Sequence, residues 1–340
     1  MNASSVVVAV DVMSGDHGIA VTVPASIDMV EADPKLRLIL VGDGRSIEKE
    51  LSQSRSYLAV KDRIEVRHTT EVVAMDEKPS VAMRNKKDSS MRVSINLVKE
   101  KVADASVSAG NTGALMAISR FVLKTPVGID RPAIVFNIPS MTGHCHLLDL
   151  GANVDCSAEQ LYQFGLMGSI LSKAVDGISA PRVGLLNIGT EEIKGGDVIK
   201  GAADLLRADP QINYIGFVEA DGIFEGEADV VACDGFAGNV ALKACEGTAR
   251  MFAQFIREGI NQNLLTKLSG LTFLPVLSGL KKKLDPGEYN GGTMIGLRGV
   301  VIKSHGSADR ASFATAIRLA ALEVEKNIPH LIEDGFAEKA

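Results

Sequence analysis

The chain has 340 residues, 46% of them hydrophobic and 23% charged, with a formal net charge of −6. That length suits one large or two intimate globular domains with a sizeable core. The negative charge, the absence of Trp and the scarcity of other aromatics argue against a nucleic-acid binder, which needs basic surface and stacking rings.

The N-terminus lacks the basic n-region and cleavage pattern of a signal peptide, and Val6–Val10 is too short to span a bilayer. The cytoplasm is the expected compartment. Cys145, Cys156, Cys233 and Cys245 show no paired close spacing and read as reduced, buried thiols rather than disulfides or a zinc site.

In chain order, Val6–Val10 is a β-branched strand that ends at Asp11 and enters the loop Met13-Ser14-Gly15-Asp16-His17-Gly18. A helix is predicted from about Ala20 to Val30, a strand over Leu36–Val41, a helix from about Ser46 to Ser54 and a strand over Ile64–His68. This alternation predicts a parallel sheet covered on both faces. From Lys78 to Lys101 the charge inverts, with seven basic residues against two acidic ones. Met91, Ile95 and Val98 keep helical spacing, so part of that stretch is an amphipathic helix, read either as a solvated face or as a docking surface for an acidic partner.

Ala105–Ala109 is a strand that turns through Gly110-Asn111-Thr112-Gly113 into a helix, Ala114 to Leu123. Ile134–Ile138 and His146–Leu150 read as paired strands, and Ser157 with Gln160 as the start of a helix that runs to about Val175. Arg182–Ile188 leads into Gly189–Gly196 and a helix over Asp197–Arg207. Tyr214–Val218 and Asp229–Cys233 are strands. The second turns through Asp234–Asn239 into a long helix ending near Ile260. Leu264, Leu265, Leu268, Leu271 and Leu274 then fall on one side of a helix that Pro275 interrupts, and Lys281–Lys283 follow. This segment, about 261–284, is an apolar protrusion, read as a buried hairpin, a dimer contact or a dip into the membrane interface. Val300–Lys303 is a late strand running into Ser304–Ser307, and a terminal helix covers about Arg310–Lys326.

Five Gly-rich loops thus follow predicted strands: Asp11–Gly18, Gly110–Gly113, Gly189–Gly196, Asp234–Asn239 and Ser304–Ser307. A helix start reached through such a turn offers free N–H groups and the positive end of the helix dipole, which suits phosphate. In a parallel sheet these loops are expected to converge at the carboxyl rim. None is a Walker A loop, and Gly42-Asp43-Gly44 lacks the third glycine of a dinucleotide fingerprint. Lys194, Lys243, Lys303 and His305 are the candidate cationic groups, and Lys194, between glycines and acids, is the hardest to explain structurally. His144 and His146 share one face of a strand, but no third metal ligand is evident nearby, so packing is the favoured reading and no metal is expected. No Gly-x-Ser-x-Gly elbow occurs.

Taken together, Asp11–Gly18, Ser108–Met116, Leu186–Gly195, Cys233–Asn239 and Gly296–Asp309 resemble the bacterial phosphate acyltransferase family (PlsX type), over nearly the whole chain. Ser14 departs from the glycine more usual there. The resemblance implies a single α/β domain over 1–340. Its fold would be a three-layer α/β/α sandwich, isopropylmalate dehydrogenase/phosphate acetyltransferase-like, with a protruding helical segment. It implies an acyltransferase that converts long-chain acyl-carrier protein and inorganic phosphate to acyl phosphate and free carrier protein, without a cofactor. It further implies a homodimer, peripheral association with an anionic membrane surface and a membrane-bound glycerol-3-phosphate acyltransferase downstream. On that reading Lys194, Asn239 and His305 are the candidate catalytic residues. Asp11, Gly15, Asp16, His17, Gly110, Asn111, Thr112, Gly113, Asp234, Gly235, Gly238, Lys243, Lys303 and Ser307 are the candidate phosphate- or acyl-binding residues. Arg84, Lys86, Lys87 and Arg92 would dock the carrier protein, and Leu268, Leu271, Phe273, Leu274 and Leu277 would meet the membrane. The alternatives are a dehydrogenase of the same fold and a non-catalytic membrane-associated scaffold.

Overall fold

The structure, a computed structural model, describes residues 5–263, 265–266, 287 and 289–337. Its elements run β1 (Val6–Asp11), α1 (Ile19–Ala32), β2 (Leu36–Gly42), α2 (Gly44–Gln53), α3 (Tyr57–Val60), β3 (Ile64–His68), α4 (Pro79–Asn85), α5 (Ser90–Lys99), β4 (Ala105–Ser108) and α6 (Thr112–Leu123). They continue β5 (Ala133–Ser140), β6 (Gly143–Leu148), α7 (Ala158–Val175), β7 (Arg182–Leu186), α8 (Asp197–Ala208), β8 (Asn213–Val218), α9 (Gly222–Glu225), β9 (Val230–Ala232) and α10 (Gly235–Asn261). The chain closes with β10 (Gly292–Ile295), β11 (Val300–Lys303), α11 (Arg310–Glu325) and α12 (Ile328–Ala337). The predicted apolar protrusion, including Leu268, Leu271, Phe273, Leu274 and Leu277, lies outside the described residues.

The helix starts follow from side chains. Asp43, Ser89, Asn111, Asp234 and Asp309 each accept a hydrogen bond from a backbone N–H of the first turn. Ser157 and Gln160 form a reciprocal capping box. Val8, Ala9 and Val10 are all fully buried, because β1 is an inner strand of a sheet covered on both faces.

The strands form one sheet in the order β3-β2-β1-β4-β11-β10-β5-β6-β9-β7-β8. One continuous apolar layer covers one face, where Ala9, Ile39, Ile134, Leu147, Val231, Met294 and Val301 meet α5, α6 and α9. The opposite face carries two clusters side by side. Val8, Leu38, Val107 and Ile302 pack on α1, α2 and α11, while Val135, Leu148, Val183 and Val230 pack on α7, α8 and α12. The result is the expected three-layer sandwich.

The sheet is not wholly parallel. β1, β2, β3, β4 and β11 run together, β10 opposes both β11 and β5, and β5 opposes β6. β6, β9, β7 and β8 then run parallel to one another. Three reversals therefore separate the halves, and the carboxyl ends of β7 and β9 lie on the opposite edge from those of β1, β4 and β11. The expectation that all five Gly-rich loops share one rim is corrected on this point. A reversal between distant strands leaves no periodicity in the sequence.

Candidate active site

Three of the five loops meet at the ends of β1, β4 and β11. Asp11 is buried, and its Oδ2 accepts a hydrogen bond from Ser108 Oγ at 2.7 Å. Burial pushes this carboxyl above the usual range, opposed by hydroxyl and backbone donors. Ser14 Oγ donates to Asp11 O (2.8 Å) and accepts from Ala109 N (2.9 Å), so the serine ties the first loop to the second. Gly15 sits at φ +84°, and a Cβ there would come within 3.0 Å of both Ala109 Cβ and Gly306 O. Asp16 N donates to Gly306 O at 2.8 Å, which brings in the third loop. The Asp16 and His17 side chains stand exposed at the surface of this junction.

Lys303 is the buried cation of the assembly. It is 6% exposed, and its ammonium donates to Ala109 O (3.4 Å) and to Ser304 O. Burial, helped by the nearby Lys243 charge and opposed by Asp16 and Asp11, lowers its pKa to about 8. His305 Nδ1 is 2.9 Å from Ser307 Oγ. Its pKa is lowered by burial and by Lys243 and Lys303, against Glu246 and Asp16, so it is neutral above its depressed pKa. Asn111 caps α6 through Ala114 N (3.0 Å) and donates to Met75 O (2.8 Å) and Glu77 O (2.9 Å), so its amide holds the loop in shape. Thr112 and Gly113 open the helix at the surface, and Gly110 stays bare because a Cβ would lie 2.6 Å from Met91 Cε.

The other two loops lie on the far edge. Asp234 caps α10 by accepting from Ala237 N at 2.8 Å. A Cβ on Gly235 would fall 2.6 Å from Asn153 O, and one on Gly238 only 2.1 Å from Asp149 O. Both glycines therefore allow α10 to start against the loop after β6. Asn239 packs over Gly151, whose Cβ would be 3.7 Å from its side chain. Lys194, in the loop after the neighbouring β7, is exposed, and a Cβ on Gly189 would come within 3.1 Å of its Cγ. α10 connects the edges. Lys243 stands one turn beyond Asn239 on the same helix face, pairs with Glu246 at 2.9 Å and is 53% exposed. Its charge reaches Lys303 and His305.

Of the basic stretch, Arg84 and Lys87 are exposed and Lys86 is half-buried. Arg92 instead lays its guanidinium 5.1 Å from the Phe121 ring centre, and burial lowers its pKa. α4 adjoins the second loop, since a Cβ on Gly113 would meet Pro79 Cγ at 2.9 Å.

Two positioning residues escaped sequence reasoning. Asn290 Oδ1 accepts from His305 N (2.9 Å) while its amide donates to Ser304 Oγ (2.8 Å) and Ser312 O (2.8 Å). No periodicity marks it. Asp149 accepts from Ile134 N (2.8 Å), Asn153 N (2.5 Å) and Asn153 Nδ2 (3.0 Å), yet burial still raises its pKa. A lone carboxylate inside the apolar run Leu147–Leu150 was the available signal.

Comparison with known proteins decides the family. Residues 6–331 match the family described as "Fatty acid synthesis protein". The phosphate acyltransferase of Methylococcus capsulatus is 58% identical over 97% of each chain, and that of Alcanivorax borkumensis 56% identical over 98% of each. The chain belongs to the phosphate acyltransferase family. Among solved structures, a phosphotransacetylase from Streptococcus pyogenes shares the fold, with a TM-score of 0.62 at 16% identity over 94% of each chain. The expected architecture is thereby shown. No helix among the described residues is long and apolar enough to cross a membrane.

Proposed function

We propose that this protein is an acyltransferase that moves a long-chain acyl group from acyl-carrier protein to inorganic phosphate. The products are acyl phosphate and free carrier protein, for phospholipid synthesis. Its membership in the phosphate acyltransferase family along nearly its whole length carries the reading. The buried Lys303 supports it, because among the described residues its ammonium is hydrogen-bonded by carbonyls and not by a carboxylate. Such a buried cation suits an arriving anion.

In this scheme a phosphate oxygen attacks the thioester carbonyl carbon. A C–O bond forms, the C–S bond breaks, and the carrier thiolate leaves to take up a proton. Both reactants are already activated, so the protein chiefly holds two anions together, and orientation supplies roughly 7–11 kcal/mol. Phosphate is assigned to Lys303, the α6 start and Lys243. Neutral His305 and Asn239 are assigned as donors to the thioester oxygen or phosphate, and one aimed donor is worth about 3–4 kcal/mol. Lys194 serves as a further cation for the reactants from the edge it shares with Asp234, Gly235 and Gly238. Asp11, Asp16 and Asp234 orient loops. Arg84, Lys86 and Lys87 are assigned to the acidic carrier protein, beside the Gly110–Gly113 loop, and Arg92 backs that surface.

The active form is proposed as a homodimer. α10 leaves Phe236, Val240, Met251, Phe252, Phe255 and Ile256 exposed, an apolar surface that a second copy would cover. The segment that contains Leu268–Leu277 is assigned to an anionic membrane surface, where the product meets the next acyltransferase. Incubation of long-chain acyl-carrier protein with phosphate tests the activity and should yield acyl phosphate and free thiol in equal amounts. Nicotinamide reduction with a hydroxy acid would instead favour a dehydrogenase, and neither activity would favour a scaffold.

A further inference from the structure

We infer that His144, His146 and Asp176 form a binding site for one divalent transition-metal ion of the zinc type, which fastens β6 to the end of α7. The two histidines are two residues apart on β6 and share a face, while Cys145 between them is buried on the other side. Asp176 is the residue that ends α7. The fold therefore supplies the third group that local sequence does not disclose, 30 residues further along the chain.

The geometry is convergent. His144 Nε2 lies 3.1 Å from Asp176 Oδ1, and His146 Nε2 lies 2.7 Å from Asp176 Oδ2. One donor atom from each residue falls within 4.8 Å of the others. The rings meet edge to face at 87° with centres 5.0 Å apart, so both nitrogens turn to one carboxylate instead of stacking. Ligand atoms around tetrahedral zinc, at about 2.0–2.1 Å from the ion, stand about 3.3 Å from one another. To admit an ion, each histidine nitrogen would part from its carboxylate oxygen, now at 3.1 Å and 2.7 Å, by only a few tenths of an ångström.

The surroundings suit a cation. The His146 and Asp176 side chains are 2% and 13% exposed, whereas His144 is 31% exposed and leaves a way in. Ser172 Oγ donates to Asp176 Oδ2 at 2.9 Å and fixes the carboxylate. Asp229, within electrostatic reach of His144, is already paired with Arg182 at 2.8 Å, so Asp176 is the carboxylate left for a cation here. His146 also lines a small cavity with the buried Glu323, and its Nδ1 has no partner among the described residues. Ligand histidines commonly turn that second nitrogen toward a carboxylate or a water. Two imidazoles and one carboxylate favour zinc, cobalt or nickel over magnesium or calcium. The site is on the sheet face that carries α7 and α11, opposite the face toward which Lys303 points, so it is independent of the proposed acyl transfer.

The test is a titration of chelator-treated protein with Co(II) at pH 7.5, followed by Zn(II). One Co(II) per chain should bind with the visible absorption of a four- or five-coordinate ion, Zn(II) should displace it, and zinc should raise the melting temperature. His144→Gln, at the partly exposed ligand, and Asp176→Asn should each weaken binding at least tenfold with unchanged circular dichroism. His330→Gln, at the exposed pair with Asp334, should not. No visible band, or a band that both cluster variants retain, would overturn the assignment in favour of a metal-free hydrogen-bonded cluster.

Discussion

Lys303 illustrates a residue held against its own solvation preference. Its pKa near 8 lies below the 10.5 of an unfolded lysine, so between those values the unfolded chain binds more protons. Stability attributable to this residue therefore rises as pH increases from about 8 toward 10.5, by roughly 3 kcal/mol at most. Lys303→Met should remove that pH dependence in urea unfolding, stabilise the fold modestly at pH 7 and lower turnover at least 100-fold. Unchanged turnover would remove Lys303 from the phosphate assignment. Lys194→Ala and Asn239→Ala, both at exposed positions, should each cut turnover at least tenfold with the melting temperature preserved. The cationic candidates were legible as residue types in Gly-rich loops. Their ranking was not, because burial separates Lys303 from Lys194 and Lys243, and burial depends on which distant strands become neighbours.

Among the elements, α10 shows how close approach and exposure coexist on one helix. Gly238→Ala would press a methyl against Asp149 O and should cost more than 2 kcal/mol in urea unfolding. Gly247→Ala on the same helix has nothing within 4 Å and should stabilise by up to about 1 kcal/mol. Equal effects from the two substitutions would contradict the packing described. The strand–turn–helix units were readable from apolar runs and capping residues, as at Ser157–Gln160 and Asp234. β10 was not readable, because Gly292–Ile295 opens on a glycine fitted against the Phe136 ring and lacks the β-branched run that marks Val300–Lys303. Direction was equally hidden, since a strand buried on both faces looks the same whether it runs up or down.

At the scale of the molecule, the 27-residue α10 buries only Gly235 and Gly238, and its length of roughly 40 Å is otherwise largely in solvent. Phe252→Glu with Phe255→Glu should shift the protein from dimer toward monomer in sedimentation and leave the circular dichroism of the sheet unchanged. A dimer that survives both substitutions would move the proposed interface elsewhere. Binding to anionic vesicles, tested with Leu271→Glu and Leu274→Glu, should fall, and its persistence would assign that segment to protein contacts instead.

The order of the central strands also bears on how the chain is made. β4 and β5 are complete by residue 140, yet neither pairs with the other. The strands that join them, β11 and β10, come from residues 292–303. A growing chain can therefore assemble β3-β2-β1-β4 and β5-β6-β9-β7-β8 as two open-edged sheets, but it has to wait until residues 292–303 are made before the middle closes. During translation the centre of the finished sheet is its last and most vulnerable joint.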